Sequence, residues 1–419
     1  MIRLLLLSDI HYLSVPSEID PDSKMRKVVV QDLVDFHKTN GAFDHILVGG
    51  DIANTGSKDE YDRALEFFNE VCDATGCPIE QVYVVPGNHD KDFKAENAEV
   101  RHIINAGLSN PDVDSDKLFC ELLKNDFDRF KTLYQPFKAY GDFAFKIDSP
   151  EPLMMKCQGN DVSPYNSEQD KAFLKVHLNN IDGIPVYLYA MNTSLVSDWY
   201  DVNDNNKGHK LFLPKLSYNA SADIEHAINI VMMHHPVDRL LHGEEIGKSL
   251  DENYQVQIFG HLHKPASSSG MNVHIHSGAL QPPKYEGDKS ENYFSVFNII
   301  ELEVVQKNDT SFLNVILRVQ KYDNNRFVEF AKESKTYKIE LKRHINRWEH
   351  GKNEEEVLPE GITIKKIRYD FLNQPNPKAF INKMSHYDEL KSHPQNCVEF
   401  LQKMESEHRM NELWRYLNS

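Results

Sequence analysis

Five short apolar runs, each ending in a small group of Gly, Asp, Asn or His residues, dominate the hydrophobic pattern of this chain. Residues 4–7 are four leucines that lead into Asp9-Ile10-His11, and residues 46–48 lead into Gly49-Gly50-Asp51, with Asn54 close behind. Residues 82–85 lead into Gly87-Asn88-His89-Asp90, residues 228–233 into His234-His235-Pro236, and residues 256–259 into Gly260-His261-Leu262-His263. An apolar run this short, bounded by turn formers, reads as a strand buried on both faces of a sheet. Residues just past such strands gather along one edge, where open α/β sheets place their ligand sites. The pattern therefore predicts that residues far apart in sequence converge in one pocket.

Between and after these runs the pattern changes period. Residues 59–74 carry apolar positions at Ala64, Leu65, Phe67, Phe68 and Val71, the spacing of an amphipathic helix, and strand–helix alternation implies βαβ units. Residues 91–141 interrupt the runs with helical patterning (Leu118, Phe119, Leu122, Leu123, Phe127, Phe130), which predicts either a helical cap beside the pocket or a simple packing excursion. A further strand is expected at 186–191, followed by Asn192-Thr193-Ser194, and polar surface loops at 201–208 and 267–270. Strands are then expected at 293–300, 312–319, 326–330 and 336–341. Residues 351–360 hold three consecutive Glu and Pro359 and read as a linker. The end of the chain turns helical, with apolar positions at Leu401, Met410, Leu413, Trp414 and Leu417. The implied division is a catalytic domain over 1–300 with an insertion at about 91–141, a β-rich extension over 301–350, and a linker with a helical C-terminal region over 351–419.

The residues at the strand ends are carboxylates, imidazoles and an amide without a thiolate, a donor set that suits one or two hard-to-borderline divalent ions. A lone Asp after a strand is more often a turn former or a helix cap. Five such groups in series reverse that balance. Two such ions about 3.5–4 Å apart can activate a water and stabilise charge that develops on oxygens in a hydrolysis. A carboxylate between two such ions offsets their mutual repulsion.

In order and in type, D-x-H, G-D, G-N-H-D, a His after a strand and G-H-x-H resemble the calcineurin-like metallophosphoesterase family, with the motifs running from Asp9 to His263. The resemblance implies a four-layer α/β sandwich of two mixed sheets flanked by helices, with a helical insertion and a C-terminal helical extension. It assigns Asp51 to the bridge between two metals, Asp9, His11 and His263 to one metal, and Asn88, His234 and His261 to the other. His89 is implied to contact the phosphate or protonate the leaving group, a task suited to an imidazole. Asn54, Asn192 and His235 are expected as substrate contacts or pocket walls, and Asp90 either orients His89 or caps a following helix. Phosphoprotein phosphatases of the family carry Asp where this chain has Asn54, so the stretch better resembles the bacterial phosphodiesterase and nuclease branches. The expected activity is hydrolysis of a phosphodiester in a nucleotide, cyclic nucleotide or short or single-stranded nucleic acid. A phosphomonoesterase is the alternative, and a metal-poor scaffold that binds protein partners is the competitor from another class. Mn²⁺ is the first expectation for the metals, with Fe, Zn or Ni as alternatives.

Composition changes this picture in two places. The 419 residues carry a net charge of −17, and from Lys342 onward 13 basic residues face 12 acidic ones, so the acidic excess lies in the body. That argues against a broad basic face for long duplex nucleic acid and for a short substrate held by the metals. The five Cys are scattered and odd in number and read as reduced thiols, and no run reaches the length of a membrane span, so the expected setting is the cytoplasm. The helical C-terminal region is the expected place for a protein partner or a second copy to dock.

Overall fold

In the computed structural model the leucine run forms β1 (Ile2–Leu7), every residue of which is buried. The structure describes residues 1–15, 20, 22–159, 171–198, 210–218, 227–282, 294–307 and 310–341, and near the C-terminus 366–367, 370–371, 401 and 410–417. The remaining strands are β2 (His45–Val48), β3 (Val82–Val84), β4 (Phe173–Ile181), β5 (Ile184–Met191) and β6 (Ile228–Met233). They continue with β7 (Val256–Phe259), β8 (Pro265–Ser269), β9 (Val273–Ser277), β10 (Val296–Lys307), β11 (Thr310–Asp323), β12 (Arg326–Glu329) and β13 (Lys335–Leu341).

Two mixed sheets result. One runs β12-β11-β10-β1-β2-β3, with β13 pairing β11; the other runs β4-β5-β6-β7-β9-β8. In the first, β1, β2 and β3 are parallel and β10 is antiparallel to β1. In the second, β5, β6, β7 and β9 are parallel, with antiparallel strands at both edges. This is the expected mixed α/β architecture.

Alternation along each strand divides the core in two, because successive side chains point to opposite faces. Leu4, Leu6, Leu47, Tyr83 and Val85 of the first sheet share a cluster with Val186, Leu188, Ile230, Met232, Ile258 and Ile275 of the second, so the sheets pack face to face. Leu5, Leu7, Ile46, Val48 and Val84 belong to another cluster, with helical residues such as Val29, Leu33, Phe68 and Val71. Full burial of one such side chain is worth about 1.5–3 kcal/mol. The outer layer over the first sheet begins with α1 (Ser23–Asn40), which buries Met25, Val29 and Leu33, and α2 (Lys58–Thr75), which buries Tyr61, Ala64, Phe67, Phe68 and Val71. Glu60 starts α2 by accepting the backbone N–H of Thr55 (2.9 Å) and Ser57 (3.1 Å), and Gly76 in a left-handed conformation ends it.

Two strands escape the apolar pattern. β8 falls where a polar loop over 267–270 is expected, and β4 carries Lys, His and Asn along an exposed edge. Antiparallel edge strands need bury only one face, and polar side chains on an edge discourage pairing with other chains. Ser267 on β8 is also held by β13, through Tyr337 Oη to Ser267 Oγ (2.8 Å).

Between β3 and β4 lie helices Ala98–Leu108, Ser115–Asn125, Phe127–Lys131, Lys138–Lys146 and Pro152–Gln158. Phe119, Phe130, Tyr134, Phe137, Tyr140 and Phe143 are buried among them, and Phe143 stacks on Tyr61 of α2 at 5.3 Å. The chain divides into two compact units, Met1–His344 and Ile345–Ser419. In the second, Met410–Leu417 is helical and Ile367, Phe371, Leu401, Met410 and Leu413 are buried. The polar stretch at 201–208 and the linker at 351–360 lie outside the described residues.

Candidate metal centre and active site

Register alone brings the motifs together. Leu7, Val48 and Val84 are aligned across β1, β2 and β3, and Met191, Met233 and Phe259 across β5, β6 and β7, so all the loops in question leave the sheets at corresponding ends. The two sets meet directly: His234 Nδ1 lies 2.8 Å from the carbonyl oxygen of Gly49, and Ser194 Oγ donates to the carbonyl of Pro86 at 3.1 Å. No larger residue fits at the seam. A Cβ on Gly87 would fall 2.0 Å from Asp51 Oδ1, and one on Gly50 (φ 98°) would fall 2.5 Å from His234 Nδ1.

The loops assemble two adjoining donor groups. Asp9, His11, Asp51 and His263 form one, and His234, His235 and His261 the other, each with its ligand atoms within 4.8 Å of one another. Asp51 stands between them, with Oδ2 3.9 Å from His11 Nε2 and 3.4 Å from His234 Nε2. Asn88 Oδ1 lies 3.2 Å from His234 Nε2, which places the amide with the second group. His263 Nε2 is 3.1 Å from Asp9 Oδ1. All seven residues expected as ligands therefore meet, and His235 joins them.

Electrostatics favour a cation here. Burial would raise the carboxyl pKa of Asp9 and Asp51, yet neighbouring imidazoles hold both below the usual carboxylate range. Burial opposes a charge on His234, but Asp51 outweighs it and pushes the imidazole up to about 9. Burial pulls His11 down to about 3 and His261 down to about 4, which leaves neutral imidazoles as donors. His11 Nδ1 and His235 Nε2 are buried without a hydrogen-bond partner. Ionised carboxylates, neutral imidazoles, an amide oxygen and unpaired buried lone pairs fit divalent metal ions.

Backbone conformation marks the same residues. Asp9 (φ 51°), His11 (48°), Asp51 (51°), His261 (66°) and His263 (54°) all lie in the left-handed region. For a residue with a Cβ this costs roughly 1–2 kcal/mol each, and such strain collects where surrounding structure enforces it for function.

The remaining expected residues take varied positions. His89 is half-buried beside the first donor group, its ring centroid 4.6 Å from that of His11. Its Nδ1 lies 2.9 Å from the main-chain oxygen of Asn54. Asn54 thus reaches His89 through its backbone. Asn192 is buried and its Oδ1 accepts from Ser194 N at 2.9 Å, while His235 is buried with Nδ1 3.0 Å from Thr193 Oγ1. Asp90 neither contacts the His89 ring nor caps a helix, because the next helix begins at Ala98; its carboxylate binds backbone N–H groups of the neighbouring loop.

Sequence reasoning did not single out Ser8 or Gln281. Ser8 Oγ donates to Asp9 Oδ2 at 2.5 Å, and Gln281 N donates to the Asp9 carbonyl at 3.0 Å. The rule that sites follow strand ends, applied to β9, would have pointed to the 278–281 turn. Nothing in the sequence marks Ser8.

The profile of the calcineurin-like phosphoesterases matches residues 2–265. This chain belongs to that family. Every motif loop of this calcineurin-like phosphoesterase, from Asp9 to His263, lies within the matched span, and the family typically binds two divalent metals. Among solved structures it is similar to an uncharacterized phosphoesterase-type protein from Streptococcus pneumoniae (11% identity over 80% of this chain and 97% of that one, TM-score 0.30). It is similar also to Vps29 from Chaetomium thermophilum (9%, 81% and 99%, TM-score 0.32). A third is the sulfate thiohydrolase SoxB from Thermus thermophilus (11%, 80% and 58%, TM-score 0.35). No curated protein matches the chain.

Proposed function

We propose that this protein is a two-metal phosphodiesterase that acts on a nucleotide, a cyclic nucleotide or a short or single-stranded nucleic acid. The observation that carries this reading is the pair of adjoining donor groups with Asp51 between them and His89 alongside. Asp9, His11, Asp51 and His263 would hold one ion, and Asp51, Asn88, His234 and His261 the other. When bound, two divalent cations supply Lewis acidity toward the phosphoryl oxygens and the attacking water. The protein's own part is to place and move protons. With Nδ1 of His89 engaged by the carbonyl of Asn54, Nε2 is the nitrogen left to carry a proton to the leaving oxygen. Asn192 and His235 would line the substrate side, and Mn²⁺ is the metal proposed first.

Two properties support a short diester over a long duplex or a phosphoprotein. The acidic body repels an extended polyanion, and the Asp that pairs with the catalytic His in phosphoprotein phosphatases is Asn54. Cys72, Cys77 and Cys120 are free thiols, which supports the cytoplasm as its setting. The test is a panel of a generic aryl diester, an aryl monoester, cyclic nucleotides and single-stranded oligonucleotides, each with added Mn²⁺. Faster turnover of a diester is expected. Turnover of the monoester alone would replace this reading with a phosphomonoesterase, and metal binding without any turnover would favour the scaffold.

A further inference from the structure

Asp90 is fully buried, and among the described residues no Lys, Arg or His pairs with it. Its carboxylate is instead saturated by four neutral donors, two on each oxygen. Oδ1 accepts the backbone N–H of Ala53 (2.9 Å) and the hydroxyl of Tyr61 (2.8 Å), and Oδ2 accepts the backbone N–H of Gly87 (2.9 Å) and Ile52 (3.2 Å). Those donors come from three elements: the loop after β2, the loop after β3, and α2. Only a carboxylate accepts on both oxygens; an amide of the same shape presents N–H groups on one side. The acid at this position is therefore read by geometry and not by charge pairing.

What the four bonds hold is the backbone of Asp51. The peptide between Asp51 and Ile52 is pinned at both ends: its carbonyl oxygen accepts Ile10 N (2.8 Å) and His11 N (3.0 Å), and its N–H goes to Asp90. Asp51 itself sits at φ 51°, a conformation that surrounding contacts must maintain. The clamp is reciprocal, since Asp51 Oδ1 accepts the backbone N–H of His89 at 2.8 Å. Each acid fixes the loop that carries the other. With Oδ1 so engaged, Oδ2 is the oxygen of Asp51 presented to His11 and His234.

We infer that Asp90 is a positioning residue that sets the place of the Asp51 carboxylate and, through it, of His89, without touching metal or substrate. The inference rests on the two-metal reading above. Its test uses the full chain and the variant Asp90→Asn, with Mn²⁺ alone as the probe. Mn²⁺ affinity and stoichiometry are read by calorimetry and by paramagnetic resonance, folding by circular dichroism, and kcat and KM on a generic diester. A folded Asp90→Asn protein is expected to bind Mn²⁺ about 10–100-fold more weakly, the usual cost of losing an outer-shell partner. Its kcat should fall on the same scale while KM moves by less than about threefold, because substrate contacts are untouched. Tyr61→Phe removes one donor of four and keeps the acid, so its effect should be smaller and of the same sign.

If Asp90→Asn melts earlier but keeps wild-type Mn²⁺ affinity and kcat, Asp90 merely supports the fold and the inference is overturned. Should Asp90→Asn fail to fold, Tyr61→Phe decides, and wild-type Mn²⁺ affinity in that variant overturns it. Asp51→Asn is measured alongside to separate the two claims. Full Mn²⁺ stoichiometry in Asp51→Asn defeats the two-metal reading itself, whereas loss of Mn²⁺ there with none in Asp90→Asn defeats only the role of Asp90.

Discussion

The two sheets contribute unlike halves of one site. Loops after β1, β2 and β3 supply the carboxylates Asp9 and Asp51, together with His11, Asn88 and His89. Loops after β6 and β7 supply imidazoles alone: His234, His235, His261 and His263. The means of support differ as well. On the first sheet, anionic side chains are held by N–H and O–H donors, as with Ser8 on Asp9 and the His89 backbone on Asp51. On the second, an imidazole is held by an acceptor, as with the Gly49 carbonyl at His234 Nδ1. A tautomer fixed at one nitrogen leaves the other as a lone-pair donor. The carboxylates of the first half would attract cations, the imidazoles of the second would complete their coordination, and neither half is a site by itself.

The sharpest way to break this division is to remove charge from the first half while keeping shape. Asp51→Asn should reduce turnover by about 10²–10³-fold or more, the scale of losing a preorganised electrostatic contact, and should lower bound metal in elemental analysis. Near wild-type metal content and rate in a folded variant would sink the two-metal reading. His89→Ala separates chemistry from metal binding: metals should stay, and rate should fall by roughly 10²–10⁴. That loss should shrink for substrates with good leaving groups, which need little protonation. An equal loss for good and poor leaving groups would make His89 a phosphate-positioning residue.

The seam between the sheets gives a stability test. Ile230→Ala, in the core shared by both sheets, should cost about 2–5 kcal/mol as measured by denaturant unfolding. A loss below about 1 kcal/mol would mean that the sheets do not depend on that packing. Beyond the seam, the helices between β3 and β4 offer a contrast in titration. Glu151 is fully buried, accepts from Tyr134 Oη at 3.2 Å, and burial raises its carboxyl to about 7. The folded state therefore holds a proton that the unfolded chain releases at about 4.5. Stability from this group is fully present below that pH and is lost as pH rises through 7, by about 3 kcal/mol at the upper end. Glu151→Gln should remove that slope between pH 5 and pH 8 in thermal unfolding, and an unchanged slope would show that Glu151 is not its source.

The smallest effect is expected from the other end of the chain. Truncation near Gly351 should leave hydrolysis of a generic diester largely intact, since every motif ends by His263. Natural-substrate turnover or partner assembly should fall if the 351–419 region docks either one. A soluble, monodisperse truncation with no activity at all would show that this region completes the site.

How much of this was legible depends on whether a feature is local. The apolar runs fixed β1, β2, β6 and β7 in sequence because both faces of each are buried, and their terminal residues then converge by register. β4 and β8 were not legible, since a half-solvated or edge strand carries no continuous apolar signal. The ligand types could be read because metal chemistry restricts them. The supports were less so: Ser8 and Gln281 become meaningful only when loops from different strands lie against one another, and the partners of Asp90 come from loops and a helix far apart in sequence. Asn54 illustrates the limit in both directions. Its side chain drew attention as a departure, yet its backbone oxygen is what reaches His89.

The alternation of β1 between two cores has a consequence for error tolerance. Leu4 and Leu6 face the opposite sheet while Leu5 and Leu7 face the helices. A slip of one residue against β2 would exchange these faces wholesale and carry Asp9 about 3.3 Å along the strand. Because a metal–ligand bond is itself only about 2 Å long, such a slip abolishes the centre outright. Assembly of this enzyme is therefore digital at β1: a chain in the wrong register is inactive, and folding quality can be counted as the fraction of molecules that retain metal.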